Sequence, residues 1–125
     1  DKRVLAISGD GGFMMNCQEY ETALREGVPI VTLILNDSSY GLIKWKEEDR
    51  FGSHFFVDFT NPDFVKMAES MGALGFRIEK AEELIPVLNK AFDSGKPCII
   101  DCAVDYTENT KLSQKLKEVV TELES

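Results

Sequence analysis

Apolar positions along this chain follow two alternating patterns, short continuous runs and longer stretches with helical spacing. The continuous runs predict four strands, over residues 4–8, 30–35, 75–79 and 97–104. The helical patterns predict helices that start at Asn16 and Asn61, and three more over residues 40–48, 82–94 and 112–123. Strands that alternate with helices in this way predict an α/β fold, a three-layer parallel sheet with helices on both faces.

Polar residues and glycines mark the ends of the predicted helices. Asn16 is expected to be an N-cap, and Glu19 three positions later completes a capping-box pattern. Asn61 followed by Pro62 predicts a second helix start, with Asn as N-cap and Pro at the first helical position. The helices are expected to stop at three glycines, Gly27, Gly72 and Gly95.

One segment fits neither apolar pattern. Residues 49–60 contain His54, the only histidine, and several phenylalanines, and they predict an irregular loop pinned by its aromatic rings. We expect His54 to be structural or exposed rather than a catalytic base. Glu19 is interpreted in the same way, as a helix cap rather than a catalytic acid.

Composition and charge narrow the class of protein. The 125 residues suffice for one domain with a core, and 43% hydrophobic residues without a long apolar run predict a soluble protein without a membrane segment. The formal charge of −8 argues against nucleic acid as a partner, because no basic patch neutralises phosphates. Three cysteines without metal spacing predict reduced thiols and a cytoplasmic location. The chain opens with Asp1 and enters a strand almost at once, as a piece of a longer polypeptide would.

Two aspartates stand where successive strands are predicted to end. Asp10 lies in the turn after the first strand, and Asp37 follows the second strand. The carboxyl ends of neighbouring parallel strands meet at one edge of a sheet, where open α/β sheets bind ligands. The two carboxylates are therefore expected to share a ligand site.

The charge of Asp10 restricts what that ligand can be. The glycines around it let the backbone approach an anion closely. A carboxylate in direct contact with a phosphate, however, is repelled by roughly 4 kcal/mol at about 4 Å and an effective dielectric near 20. A divalent cation between the two removes this conflict. Two carboxylates, the Ser39 carbonyl, two phosphate oxygens and a water complete the octahedron that Mg²⁺ prefers.

Other nucleotide-binding motifs do not fit the same turn. A P-loop needs Gly-Lys-Ser/Thr, which is absent, and the dinucleotide fingerprint needs glycine where Met14 stands. A plainer alternative stays open on the residues alone. In it, the glycines only make a tight turn and Asp37 starts an Asx turn.

Longer segments of the sequence resemble a known enzyme family. Gly9-Asp10-Gly11, then 24 residues, then Asn36-Asp37 is similar to the diphosphate-and-metal motif of thiamine diphosphate-dependent enzymes. The fuller text GDGGFMMNCQEYETALREGVPI and LILNDSSYGLIKW resembles the acetohydroxyacid synthase branch. The later VDFTNPDFVKMAESMGALGFRIE and VDYTEN resemble the catabolic acetolactate synthases. The resemblance implies the thiamine diphosphate-binding fold, truncated at its N-terminal side, with residues 1–125 as one C-terminal domain of a longer multidomain enzyme.

The resemblance also implies roles for individual residues. Asp10, Asp37 and the main-chain oxygen of Ser39 would be the Mg²⁺ ligands. Many family members have Asn where this chain has Asp37, so the added charge is expected to tighten the metal and raise its pH dependence. The full set implied for cofactor binding is Gly9, Asp10, Gly11, Gly12, Asp37, Ser39, Tyr40, Gly41, Leu42 and Ile43. Trp45 and Lys46 lie where related enzymes shape the substrate pocket, but this chain carries its own residues there.

The implied reaction condenses two pyruvates to 2-acetolactate and CO₂, with thiamine diphosphate and Mg²⁺ as cofactors. In this family the activating glutamate comes from a pyrimidine-binding domain of the same or a neighbouring subunit, so these residues alone hold no catalytic group and the isolated chain is expected to be inactive. A homodimer or homotetramer is expected for the full-length enzyme. The alternatives are another thiamine diphosphate enzyme (pyruvate oxidase, 2-keto acid decarboxylase or carboligase) and a non-catalytic phosphate- or metal-binding module.

Overall fold

The computed structural model describes residues 2–106, which form one fully parallel sheet with helices on both faces. The predicted helix over residues 112–123 lies outside the described residues. The strands lie side by side in the order β1-β2-β4-β3. Their bounds are β1 (Leu5–Gly9), β2 (Val31–Asn36), β3 (Leu74–Ile78) and β4 (Cys98–Ala103). The prediction of a layered parallel α/β fold is confirmed.

Within residues 2–106, five α-helices and one short 3₁₀ turn accompany these strands. The 3₁₀ turn, Ala81–Glu83, leads directly into α5, whose Pro86 falls in the first turn, where a missing N–H costs nothing. No helix within the described part of the chain is long and apolar enough to cross a bilayer. The helices are α1 (Asp10–Met15), α2 (Glu19–Arg25), α3 (Gly41–Phe51), α4 (Phe64–Met71) and α5 (Leu84–Asp93).

The core is divided by the sheet into two clusters. Side chains alternate along a strand, so Ile34 of β2 faces one layer while Val31 and Leu33 face the other. The first layer packs under α1, α2 and α4, where the ring of Phe13 meets those of Tyr20 and Phe64 edge-on. The second layer packs under α5. The prediction that the second strand is covered on both faces is therefore confirmed.

The first strand is less buried than its apolar sequence predicts. Leu5 and Ile7 of β1 are 37% and 62% exposed. They pair in register with Val31 and Leu33, but neither belongs to the core under α5. The apolar run over residues 4–8 predicts a buried strand, and this prediction was wrong, because the face of β1 that carries Leu5 and Ile7 lies outside both core clusters of the described residues.

The first predicted helix start was also wrong. The chain enters α1 directly at Asp10, and Asn16 is the C-cap of that helix rather than the N-cap of the next. Helix α2 begins after Gln18, whose side chain makes no capping hydrogen bond, and Glu19 instead accepts a hydrogen bond from Thr22. A short extra helix thus occupies the stretch that pattern alone interprets as a turn.

A second cap is displaced by two residues. Asp63, not Asn61, is the N-cap of α4, and its carboxylate accepts hydrogen bonds from the backbone N–H groups of Val65 and Lys66. Asp, Asn and Ser cap helices about equally well, so local preference does not decide between the two positions. The side chain of Asn61 is left available for other partners.

The aromatic loop is held by one of its rings, as predicted only in part. Helix α3 extends to Phe51, and Gly52 ends it with a φ of 72°. Phe51, Phe55 and Phe56 are exposed, whereas the ring of Phe59 packs on Tyr40. Buried Val57 and His54, which bridges two carboxylates, also anchor the loop. That His54 is not a catalytic base stays a prediction.

Candidate functional site

A cavity of about 390 Å³ opens at the carboxyl ends of β1 and β2. The register of the two strands places Gly9 beside Leu35, so the chain leaves both strands at the same edge of the sheet. All ten residues expected for cofactor binding line this cavity, namely Gly9, Asp10, Gly11, Gly12, Asp37, Ser39, Tyr40, Gly41, Leu42 and Ile43.

Asp10 is the buried acidic group of this cavity, with only 1% of its surface exposed. Its Oδ1 accepts a hydrogen bond of 2.8 Å from the N–H of Gly11. Its Oδ2 accepts two, from the N–H of Ser38 at 2.7 Å and from the side-chain amide of Asn61 at 2.6 Å. All three donors are neutral, so the carboxylate is oriented but its charge is not cancelled by them.

Asp37 adds a second negative charge to the same cavity. Burial and the charge of Asp10 raise the pKa of Asp37, while the ammonium group of Lys44 lowers it to a smaller extent. Lys44 is also engaged elsewhere, since it donates a 2.8 Å hydrogen bond to Asp58. The two aspartates therefore form a site whose charge favours a cation.

Two glycines leave the space that the cavity needs. A Cβ on Gly11 would lie 2.7 Å from Cε1 of Tyr40 and 3.3 Å from Cζ of Phe59. A Cβ on Gly41 would lie 2.9 Å from Oδ2 of Asp37. Side chains at these two positions would displace the ring of Tyr40 or the carboxylate of Asp37.

The segment between Asp37 and Tyr40 carries further features of a binding site. Ser38 has a φ of 57°, a conformation that non-glycine residues adopt at a cost of roughly 1–2 kcal/mol, and its N–H donates to Asp10. Ser39 is 5% exposed, and its Oγ is a buried polar atom without a hydrogen-bond partner among the described residues. Because buried hydroxyls are normally hydrogen-bonded and Ser39 lines the cavity, this oxygen is available to a ligand there.

The donor set fits Mg²⁺ only with help from a bound anion. Within residues 2–106, no cluster of three or more His, Cys, Asp or Glu side chains is placed to hold a metal. Two carboxylates and a carbonyl would supply half of an octahedron, and Mg²⁺ commonly takes its remaining ligands from substrate phosphates and water. The residues thus fit a magnesium–diphosphate pair better than a free metal.

Among the described residues, three more line the cavity, and of these only Trp45 was connected with a substrate pocket by the sequence resemblance. Leu35 and Trp45 contribute apolar surface, and Lys46 does not line the cavity. Tyr106 follows β4, and burial together with the charges of Asp37 and Asp10 raises its pKa. The signal that could have identified Tyr106 is the position of β4 next to β2, which brings the end of β4 to the same edge.

Comparisons with known proteins show which family the chain is similar to. A family model described as thiamine pyrophosphate enzyme, C-terminal TPP binding domain, matches residues 1–102. The chain is 42% identical over 123 residues to an acetolactate synthase of Bacillus subtilis (strain 168), covering 98% of this chain and 22% of that protein. It is 36% identical over 115 residues to a catabolic acetolactate synthase of Raoultella terrigena, covering 92% of this chain and 21% of that protein. The chain therefore spans about a fifth of the length of these relatives.

One solved structure extends the comparison to three dimensions. The thiamine diphosphate-dependent 4-hydroxybenzoylformate decarboxylase of Rhodococcus jostii RHA1 superposes with a TM-score of 0.79 at 26% identity. The match covers 86% of this chain and 21% of that one. The sequence resemblance and the fold thus lead to the same group of proteins.

Proposed function

This chain belongs to the thiamine pyrophosphate enzymes, where it matches the C-terminal TPP binding domain, and from that premise we propose that it holds the diphosphate of thiamine diphosphate through Mg²⁺ in a longer acetolactate synthase-like enzyme. The observation that carries the proposal is the pair of Asp10 and Asp37 in one glycine-lined cavity. Their mutual repulsion favours a cation, and the cation in turn attracts a diphosphate.

Each part of the cavity lining has a proposed role. Asp10, Asp37 and the main-chain oxygen of Ser39 hold the metal, as carboxylate and carbonyl oxygens suit Mg²⁺. The diphosphate lies against Gly9, Gly11 and Gly12, with Tyr40 and Gly41 at its flanks. The apolar side chains of Leu42 and Ile43, which are 62% and 51% exposed, face the thiazolium ring and the substrate.

The full-length enzyme is proposed to condense two pyruvates to 2-acetolactate and CO₂. When bound, thiamine diphosphate supplies the carbon nucleophile of that reaction, and the domain binds and orients it. Two relatives that cover more than nine-tenths of this chain are named acetolactate synthases, which supports this choice of reaction.

The catalytic partner is proposed to lie on another part of the assembly. The activating glutamate would come from a pyrimidine-binding domain of the same or a neighbouring subunit, in a homodimer or homotetramer. A longer polypeptide is supported by the one-fifth share of the relatives that this chain spans. Acetolactate formation by residues 1–125 alone would contradict this part of the proposal.

A second candidate is decarboxylation of a 2-keto acid without condensation. It is favoured by the structural match to the Rhodococcus jostii RHA1 enzyme, whose name gives it as a decarboxylase. The identities of 42% and 36% to acetolactate synthases favour the first candidate. Product analysis of the full-length enzyme with pyruvate separates them, since 2-acetolactate is expected from the first and acetaldehyde from the second.

Cofactor retention tests the proposed site directly. Thiamine diphosphate binding to the full-length enzyme is measured by calorimetry with Mg²⁺ and with EDTA. We expect Asp10→Ala and Asp37→Ala to abolish the Mg²⁺-dependent part, and the exposed control Glu69→Gln to retain it. Unchanged retention in both alanine variants, or a preference for Mg²⁺–ATP over Mg²⁺–thiamine diphosphate, would refute the site.

A further inference from the structure

Asn61 reaches from the start of helix α4 to the carboxylate of Asp10, although the two residues are 51 positions apart in sequence. Its amide Nδ2 donates to Oδ2 of Asp10 at 2.6 Å and to Oδ1 of Asn36 at 3.0 Å. The side chain is not used as a helix cap, because Asp63 fills that role. One amide group therefore connects Asp10 to the end of β2.

Asn36 and Asn61 form a row of hydrogen bonds between two carboxylates, those of Asp101 and Asp10. Because carboxylates only accept hydrogen bonds, they fix the orientation of both amides. Asp101 is 6% exposed and accepts from Arg77 at Oδ2, with the Nε of Arg77 at 3.3 Å. Its Oδ1 accepts from the amide of Asn36 at 2.8 Å, so the carbonyl of Asn36 must face Asn61. Asn61 then has to present its NH₂ group, which is also the group that the carboxylate of Asp10 requires.

On the basis of the proposed function, we infer that Asn61 is a positioning residue that prepares Asp10 to bind Mg²⁺ through one oxygen. Oδ2 of Asp10 accepts from both Asn61 and the N–H of Ser38, and these bonds use its two lone pairs. Oδ1 accepts only from the N–H of Gly11 among the described hydrogen bonds, which leaves it one lone pair for a cation.

A carboxylate restricted to one oxygen selects between cations. Mg²⁺ is small, demands an octahedron and binds carboxylates through single oxygens, whereas Ca²⁺ accepts bidentate carboxylates in a larger and more flexible shell. The two hydrogen bonds that Oδ2 accepts, from Asn61 and from the N–H of Ser38, therefore favour Mg²⁺. Removal of the Asn61 amide would free one lone pair on Oδ2, because the N–H of Ser38 would be its only remaining donor among the described residues. Both oxygens of Asp10 could then bind a cation, which suits Ca²⁺.

The test compares both cations in the full-length enzyme with saturating thiamine diphosphate. Dissociation constants for Mg²⁺ and Ca²⁺ are measured by calorimetry for the wild type, Asn61→Ala and Thr60→Ala, an exposed neighbour on the same segment. We expect Asn61→Ala to weaken Mg²⁺ binding about 10- to 100-fold, as is usual when a residue that orients a metal ligand is lost. In the same variant, the fold-increase of the dissociation constant for Ca²⁺ is expected to be at least about ten times smaller than that for Mg²⁺. Thr60→Ala is expected to leave both constants unchanged.

Several outcomes decide the inference. Unchanged Mg²⁺ affinity in Asn61→Ala would overturn it, and so would an equal loss for both cations together with a lower melting temperature of the metal-free protein. Asn61→Ser, whose shorter hydroxyl does not span both acceptors, carries the same expectation if the alanine variant fails to fold. A wild type that binds thiamine diphosphate equally well without divalent cations would refute the proposed function itself, whereas a failure confined to the variants refutes the role of Asn61 alone.

Discussion

Asp10 and Asp37 line the same cavity, and the negative charge of Asp10 contributes to the raised pKa of Asp37. The two carboxylates follow neighbouring strands, and the parallel register of β1 and β2 brings both to the same edge of the sheet. Without a cation the pair is a source of strain in the folded state. A divalent cation between the two carboxylates relieves this repulsion, and the relief adds to the free energy with which the cation binds.

The first prediction concerns this repulsion in the absence of metal. In EDTA at neutral pH, Asp37→Asn should unfold at a higher temperature than the wild type, with a gain of about 0.5–1 kcal/mol, because a partly exposed charge pair is screened by solvent. With Mg²⁺ and thiamine diphosphate the order should reverse, since the wild type gains more from the bound ligands. Thermal unfolding followed by circular dichroism measures both, and a lower melting temperature of the variant in EDTA would contradict the prediction.

The second prediction concerns the space beside Gly11. Gly11→Ala places a Cβ 2.7 Å from Tyr40, whose ring packs on Phe59 at 4.8 Å, so the pair must shift. Gly12→Ala is the matched control, since it lies in the same helix and meets only the hydroxyl of Ser8 at 3.2 Å. Both variants gain the same helix propensity. We expect Gly11→Ala to be less stable than Gly12→Ala by about 1–2 kcal/mol in urea unfolding, and equal stabilities would show that the ring yields freely.

The third prediction concerns the loop after α3. His54 lies between Glu48 at 2.8 Å and Asp58 at 3.1 Å. The same loop is bonded to the cavity segment, because the N–H of Tyr40 donates to Val57 and the N–H of Phe59 donates to Ser38. The anchor at His54 is therefore expected to protect these two backbone hydrogen bonds.

Hydrogen exchange tests this coupling. In His54→Ala the amide protons of Tyr40 and Phe59 should exchange faster, while the global stability changes by less than about 1 kcal/mol because the side chains that contact His54 are partly exposed. Ser53→Ala, an exposed neighbour, is the control. Unchanged exchange at both amides in His54→Ala would show that the loop is held without the imidazole.

The layered fold could be predicted from the sequence because a strand that is buried on both faces has a nearly continuous run of apolar residues. The run from Val31 to Ile34 is apolar or neutral throughout since both of its faces are covered. The cavity of the candidate site could be predicted for a related reason, since both aspartates come directly after strands. A residue that directly follows a parallel strand lies at the edge of the sheet where such folds bind ligands, so its distance from the strand end is enough to place it near the site.

The features that could not be predicted depend on distant contacts. The order β1-β2-β4-β3 is not visible in the sequence, and it is this order that brings Tyr106 to the cavity. Asn61 was expected to cap α4 because Asn is a common N-cap residue. The sequence gives no indication that its side chain instead donates to Asp10 and Asn36, which are distant in sequence. Gly75 likewise has no local signal, yet a Cβ there would lie 2.6 Å from the backbone oxygen of Val65.

The last prediction concerns pH and the true cap of α4. The N–H of Lys66 donates to the carboxylate of Asp63, and the guanidinium of Arg77 lies 2.9 Å from it. Together they lower the pKa of Asp63 from its ordinary value. A carboxyl whose pKa is lower in the folded state stabilises the protein above its unfolded pKa. That stabilisation is lost as the pH falls through the folded pKa.

The variant that isolates this charge is Asp63→Asn, since Asn caps helices about as well as Asp but cannot ionise. Wild type and variant are unfolded in urea at a series of pH values between about 7 and about 2. The wild type should be more stable at neutral pH, and its advantage should shrink below about pH 4 and vanish at the acid end, where both side chains are neutral. Glu69→Gln, on the exposed side of the same helix, should show no comparable loss. An advantage that stays constant over the whole range would mean that Asp63 stabilises α4 by shape and hydrogen bonding rather than by its charge.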